Sequence, residues 1–183
     1  SDACYALMGD KHLMFSPSGR SFLMFGKHGR SWVALFGPFG DAREFADMVW
    51  QFIEMATDHG GRAAFYHVRP ATLPLLLDCG LHLFKLGEYA QVDLSAFDLK
   101  GASRANLRTA VNRAEREGLR FEVVDAAGVD ALLPALREVS DAWLAQHRSG
   151  EKAFSVGRFD DDYVRRFPVA VVRRDDRIIA FAN

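Results

Sequence analysis

The chain has 183 residues, 49% of them apolar and 26% charged, with a formal net charge of −1. That length buries one large core or two small ones. So small a net charge excludes a global attraction to nucleic acid or membrane, and any polyanion site has to be local. No apolar run approaches the roughly 20 residues that span a bilayer, and residues 1–10 lack the basic start and long apolar stretch of a signal peptide. The two cysteines, Cys4 and Cys79, have no metal-ligand spacing and are expected to be reduced thiols in a cytosolic setting, with Cys79 a small core residue.

The first forty residues predict a three-stranded meander. Runs rich in Phe, Leu, Met and Val at 11–16, 21–26 and 31–37 are separated by turn signals at Pro17-Ser18-Gly19 and Lys27-His28-Gly29. Asp41 is a good N-cap for an amphipathic helix over 41–59, whose apolar stripe is Phe45, Met48, Val49, Phe52, Ile53 and Ala56. Gly60-Gly61 ends it. A strand follows at 62–68 and a short helix at 71–78, behind Pro70. The alternation over 81–94 predicts two short strand segments broken at Gly87.

A hinge over 95–103 leads into a helix over 104–117, closed by Gly118 at the left-handed C′ position. Leu107, Ala110, Val111 and Ala114 recur at helical spacing and are expected to pack. Arg104, Arg108, Asn112, Arg113 and Arg116 fall on the other side. A guanidinium stays charged and grips phosphate bidentately, so this face suits a polyanion; as a bland alternative it is a solvated basic face with Glu115 and Glu117 as partners.

Beyond Gly118 a second unit is expected. It has a strand at 119–125, a helix at 129–146 burying Leu132, Leu133, Leu136, Val139, Ala142 and Trp143, a polar loop at 147–157, a short helix at 160–167, and a hairpin of 169–173 with 178–182. Pro134 has to fall in the first turns of its helix. The apolar last strand calls for a neighbour, which predicts that the chain is cut from a longer protein. The layout predicts an α/β (α+β) fold with mixed, largely antiparallel sheets. It reads as a tandem N-acetyltransferase-like (GNAT) arrangement of units 1–97 and 98–183, the second incomplete.

Functional side chains are sought beside strand breaks and on loops. Lys85 and Glu88 flank Gly87, where backbone can approach a ligand; the structural alternative is an ion pair at a bulge. Glu151, Lys152, Phe154 and Ser155 lie on the polar loop. No G-x-S-x-G elbow surrounds Ser155, which argues against a covalent serine mechanism. The six histidines are scattered without HExxH or HxH spacing, so no metal is expected. An acetyl-CoA enzyme would need an R/Q-x-x-G-x-G/A turn opening a helix, and the available turn, Gly37-Pro38-Phe39-Gly40, loses an N–H donor at its proline.

Five stretches in matching order carry a resemblance: GDKHLMFSPSGRSFLMFGKHGRSWVALFGPFGD, FKLGEYAQVDLSAFDLKG, LRTAVNRAEREG, GEKAFSVGRFDDDYV and IIAFAN. Together they resemble the cytosolic domain of the aminoacyl-phosphatidylglycerol synthases, the lysyl- or alanyl-phosphatidylglycerol transferases also called multiple peptide resistance factors. One departure is Phe36-Gly37-Pro38, where the family pattern leads us to expect Gly-Asp-Pro. The resemblance implies transfer of an aminoacyl group from aminoacyl-tRNA to phosphatidylglycerol, with no cofactor, at the cytoplasmic face of the bacterial cell membrane. It also implies an N-terminal membrane region and a further C-terminal part in the same protein, and resistance to cationic peptides as the outcome.

In that reading Lys85, Glu88, Glu151 and Ser155 are the catalytic candidates. Arg104, Arg108, Arg113 and Arg116, with Arg120, hold tRNA or lipid phosphate. The alternatives are an acetyl-CoA-dependent N-acetyltransferase, a peptidoglycan-building aminoacyl-tRNA transferase, and a non-catalytic module binding anionic lipid or RNA.

Overall fold

A computed structural model describes residues 2–147, 150 and 152–183. It divides into two compact units: Ser1–Leu86 with Lys152–Arg158, and Gly87–Glu151 with Phe159–Asn183.

In the first unit, β1 (His12–Phe15), β2 (Phe22–His28) and β3 (Ser31–Leu35) form the expected antiparallel meander. Helix α1 (Phe45–Asp58) then returns the chain so that β4 (Arg62–Tyr66) pairs parallel to β3. The predicted stripe of α1 does the packing: Met48, Phe52 and Ala56 are buried against Leu23, Phe25, Trp32 and Ala34. Phe25 stacks on Trp32 and meets Phe52 at an angle, which adds oriented aromatic contacts to the area buried. Helix α2 (Leu73–Asp78) follows a 3-10 turn at Pro70–Thr72, and buried Leu76 and Cys79 pack on Val49.

In the second unit, β5 (Leu119–Val124), β6 (Val169–Arg174) and β7 (Arg177–Ala182) form an antiparallel sheet in that order. The β6–β7 turn needs only Asp175 and Asp176, with Asp175 left-handed at φ 54°. Before β5 runs α3 (Ala105–Arg116); after it come α4 (Ala126–Val129), α5 (Leu133–His147) and α6 (Asp161–Val164). The core joins Val129, Leu133, Leu136 and Val164 to Val169, Val171 and Ile178. Pro134, the second residue of α5, gives up an N–H that the first turn leaves unpaired anyway.

Three expectations are corrected. The two strand segments over 81–94 are absent: no regular element occurs there. Alternation makes a segment fit for a strand, but a strand also needs a neighbour to bond with, and no described strand pairs with this one. Beyond Leu81, which packs beside Leu76 and Cys79, its apolar side chains stay in solvent, Phe84 at 84% exposure. The stripe of α3 does not pack either: Leu107 and Val111 are 44% and 42% exposed. Nor do Ala142 and Trp143 of α5 join the core, because the buried line of that helix runs through Leu133 and Leu136.

The Gly37–Gly40 turn constrains the start of α1. Gly40 has φ 120°, and a Cβ there would lie 2.2 Å from the carbonyl oxygen of Arg20 and 2.7 Å from Cα of Ser21. Gly19 is also left-handed, at φ 71°, but faces open space. Gly40→Ala is therefore expected to destabilise the first unit by about 3 kcal/mol or more, against about 1 kcal/mol for Gly19→Ala. Urea unfolding of the two variants side by side measures the difference.

Candidate functional site

The basic helix owes its form to good helix formers in its body and to glycines at either end. Gly101 (φ 83°) precedes the 3-10 turn Ala102–Arg104 that opens it, and Gly118 (φ 71°) ends it. Gly118 N–H donates to the Glu115 carbonyl at 3.0 Å. Arg104, Arg108, Asn112 and Arg116 follow one another at four-residue steps along one line, and Arg113 stands one residue off it.

These arginines do different work. Arg108 turns back on the hinge, its Nη1 donating to the carbonyls of Leu99 and Gly101, the latter at 2.7 Å. Arg104 lies over the Phe97 ring, 4.9 Å from its centroid. Arg113 pairs with Glu117 at 2.6 Å, and Glu117 also receives Arg174 at 3.2 Å. The hydrogen bond from Arg113 holds the Glu117 carboxyl below its ordinary range and raises Arg113 in turn. Arg116 donates to the Asn112 carbonyl at 3.2 Å. Among the described residues no carboxylate lies within ion-pair distance of Arg104, Arg116 or Arg120. Arg104 and Arg116 are thus the two helix guanidiniums held by no ion pair among the described residues, although the Arg116 charge still reaches Glu117.

The other candidates lie on different segments of the chain. Lys85 and Glu88 are exposed on the extended segment, Lys85 in the first unit and Glu88 in the second. Glu151 lies outside the described residues. Ser155 is half-buried on a turn of the first unit.

Two networks in the first unit had no signal in the sequence pattern. Asp10 Oδ2 accepts from Phe154 N–H at 2.9 Å, across 144 positions, and Oδ1 accepts from Lys11 Nζ at 2.5 Å. The Lys11 side chain has no exposed surface and also donates to the Tyr5 carbonyl at 3.3 Å. Burial alone would raise the Asp10 carboxyl, but the bonds from Lys11 and Phe154 outweigh it and hold it below the usual range. Phe154 has φ 68°, so the turn that presents Ser155 is strained and is held by Asp10. A polar residue beside a short strand is a poor clue, because its partner is so distant in sequence.

Glu44 is the second network. Its Oε1 accepts from Ser18 Oγ at 2.5 Å and from Arg20 Nη2 at 3.2 Å, which ties the β1–β2 turn to the entrance of α1. The Ser18 hydroxyl first, then those of Ser21 and Ser16, lower its carboxyl to about 2. In the second unit a cavity of about 910 Å³ lies between α5 and β7, lined by Trp143, Ile179 and Phe181 with Arg173 and Arg177. None of the described sequence candidates lines it. No group of acidic, histidine or cysteine side chains among the described residues is arranged to hold a metal.

The family model described as phosphatidylglycerol lysyltransferase, C-terminal, matches residues 1–183. The phosphatidylglycerol lysyltransferase of Bacillus subtilis is 39% identical over 177 residues, which is 96% of this chain and 20% of that protein. The chain therefore spans about a fifth of the length of such relatives. A crystal structure of the C-terminal domain assigned to a lysylphosphatidylglycerol synthetase of Agrobacterium fabrum is 52% identical, with a TM-score of 0.92 over 100% of this chain and 58% of that one. The L-PGS structure from Bacillus licheniformis, 37% identical, gives a TM-score of 0.90 with the same coverage.

Two outcomes test the networks. Asp10→Ala leaves Lys11 charged and buried without its carboxylate and is expected to cost about 3 kcal/mol, read by chemical denaturation. Glu44 has a depressed carboxyl, so its contribution is present above the unfolded value near 4.5 and is lost as pH falls toward about 2. Glu44→Gln should lower the melting temperature at pH 7 and flatten its decline between those pH values, as measured by calorimetry.

Proposed function

The chain belongs to the C-terminal family of phosphatidylglycerol lysyltransferases, and on that premise we propose that it forms part of the domain that aminoacylates phosphatidylglycerol. The observation that carries this is the family match over residues 1–183. The two units, each a sheet packed by helices, are taken as tandem acyltransferase-like repeats, the second continuing beyond this chain. The donor is aminoacyl-tRNA and the acceptor a lipid glycerol hydroxyl, at the cytoplasmic face of the membrane. No described helix is itself long and apolar enough to cross a bilayer.

The chemistry is a transesterification. The glycerol oxygen attacks the ester carbonyl and loses its proton to a base; the carbonyl carbon–ribose oxygen bond breaks, and the ribose oxygen takes up a proton. Holding both substrates together supplies much of the rate, and a positioned donor stabilises the developing oxyanion. Arg104 and Arg116, with Arg113 and Arg120 beside them, are assigned to substrate phosphates; Arg108 positions the helix that carries them. Lys85, Glu88, Glu151 and Ser155 remain the proposed proton-handling groups.

An acetyl-CoA reading finds less support. The N-terminus of α1, where a pyrophosphate would sit after the Gly37–Gly40 turn, already has Asp41 accepting from Arg43 N–H at 3.1 Å and Glu44 beside it. Two carboxylates there repel another anion.

The test uses a version extended to the length of the solved relatives, with radiolabelled lysyl- and alanyl-tRNA and phosphatidylglycerol vesicles. A labelled lipid product is expected, with kcat/KM lowered at least tenfold by Arg104→Gln with Arg116→Gln. Acetyl transfer from acetyl-CoA without any aminoacyl-lipid would overturn the reading.

A further inference from the structure

Residues 152–158 belong to the first unit, although α5 and α6 on either side of them belong to the second. Three contacts anchor the segment there. Phe154 N–H donates to Asp10 Oδ2 at 2.9 Å, and the Asp10 side chain is only 9% exposed. Lys11, with no exposed side-chain surface, holds the other carboxylate oxygen. The Phe154 ring packs beside Met24, Leu35 and Phe36, and it comes so close to β2 that a Cβ on Gly26 would lie 3.1 Å from it.

A buried ion pair is a poor source of stability, because desolvating its charges offsets their attraction. Here the pair does something else. It reaches 144 positions along the chain to fix a turn whose Phe154 is left-handed at φ 68°. Strain of this kind persists where the surroundings over-determine it, and it gathers at working sites. The residue displayed next is Ser155. Among the described residues neither its hydroxyl nor its N–H makes a hydrogen bond. The hydroxyls of Ser16, Ser18 and Ser21, in the same unit, are by contrast spent on one another, on Glu44 and on the Asp41 carbonyl. With no G-x-S-x-G elbow and no histidine bonded to it, Ser155 is not built as a nucleophile. A hydroxyl fixed in place and left unbonded suits donation to a developing oxyanion.

We propose that Asp10 is a positioning residue for the aminoacyl transfer: by accepting Phe154 N–H it fixes the left-handed turn from which the Ser155 hydroxyl donates to the carbonyl oxygen of the substrate ester. The inference rests on the transfer reading above and gives Ser155, among the proposed groups, the donor's part. Ser155 forms no covalent bond in this scheme; it stabilises the negative charge while the glycerol oxygen adds and the ribose oxygen leaves. Lys11 neutralises Asp10 and does not meet the substrate.

The test is steady-state kinetics of lysyl and alanyl transfer to phosphatidylglycerol vesicles, in the version extended to the length of the solved relatives. Ser155→Ala is expected to lower kcat about a hundredfold with KM for both substrates within about twofold. Two double variants separate positioning from stability, since each removes the buried charge together with its partner. Asp10→Asn with Lys11→Met keeps an acceptor for Phe154 N–H and should hold kcat within about twofold of the parent. Asp10→Leu with Lys11→Met offers no acceptor and should lower kcat about tenfold at unchanged KM. It should also speed hydrogen exchange at the Phe154 amide, and it should cause no further loss when Ser155 is already alanine. Equal kcat in the two double variants, a loss that multiplies with that of Ser155→Ala, or full kcat in Ser155→Ala overturns the proposal. Should the leucine variant not fold, Gly26→Ala, which presses on the Phe154 ring and leaves every polar group in place, must show the same dependence on Ser155. An extended parent that forms no aminoacyl-lipid defeats the transfer reading itself; one that forms it at full rate without the Ser155 hydroxyl defeats this inference alone.

Discussion

The fork of Arg108 on the Leu99 and Gly101 carbonyls is the contact on which the basic helix depends. A helix of twelve residues is marginal in water, and packing usually stabilises it. Here the apolar stripe is exposed, so packing supplies little. The helix is fixed instead at its ends: by Arg108 on the hinge at one, and by Gly118 and the Glu117–Arg174 pair to β6 at the other. A helix held in this way keeps its sides open. Among the described residues Arg104 and Arg116 have no carboxylate within ion-pair distance, and Leu107 and Val111 are half-exposed.

The first unit applies the opposite economy. Its aromatic core fixes α1 on the sheet, and Asp10 and Glu44 pin its turns. Gly40 lets the chain pass close to Arg20 and Ser21; Glu44 and its serine partners fasten that crossing; Asp10 reaches Phe154 and fixes the turn that displays Ser155. Strain at Phe154 is tolerated because both a buried ion pair and the sheet hold it.

Much of the fold was legible because local and global signals agreed. The stripe Met48-Val49-Phe52-Ala56 is buried as its spacing requires, Gly118 is left-handed as its position requires, and the 169–182 hairpin turns where Asp175-Asp176 permits it. The strand reading of 81–94 failed because alternation reports fitness for a sheet and not the presence of a partner strand. The stripe of α3 misled for a related reason: helical spacing of Leu107 and Val111 says that they share a side, not that something lies against it. Of the candidate site, the arginine face was legible in composition. The division of labour within it, with Arg108 spent on two carbonyls, was not, because it depends on where the hinge folds. Asp10 and Glu44 were invisible because each acts on residues far away in sequence.

The most direct measurement places an environment-sensitive fluorophore on Val111→Cys and follows its emission as anionic phosphatidylglycerol vesicles or tRNA are added. A salt-reversible change with either one is the predicted result, since Arg104 and Arg116 of α3 are assigned to substrate phosphates. An unchanged spectrum with both would contradict that assignment.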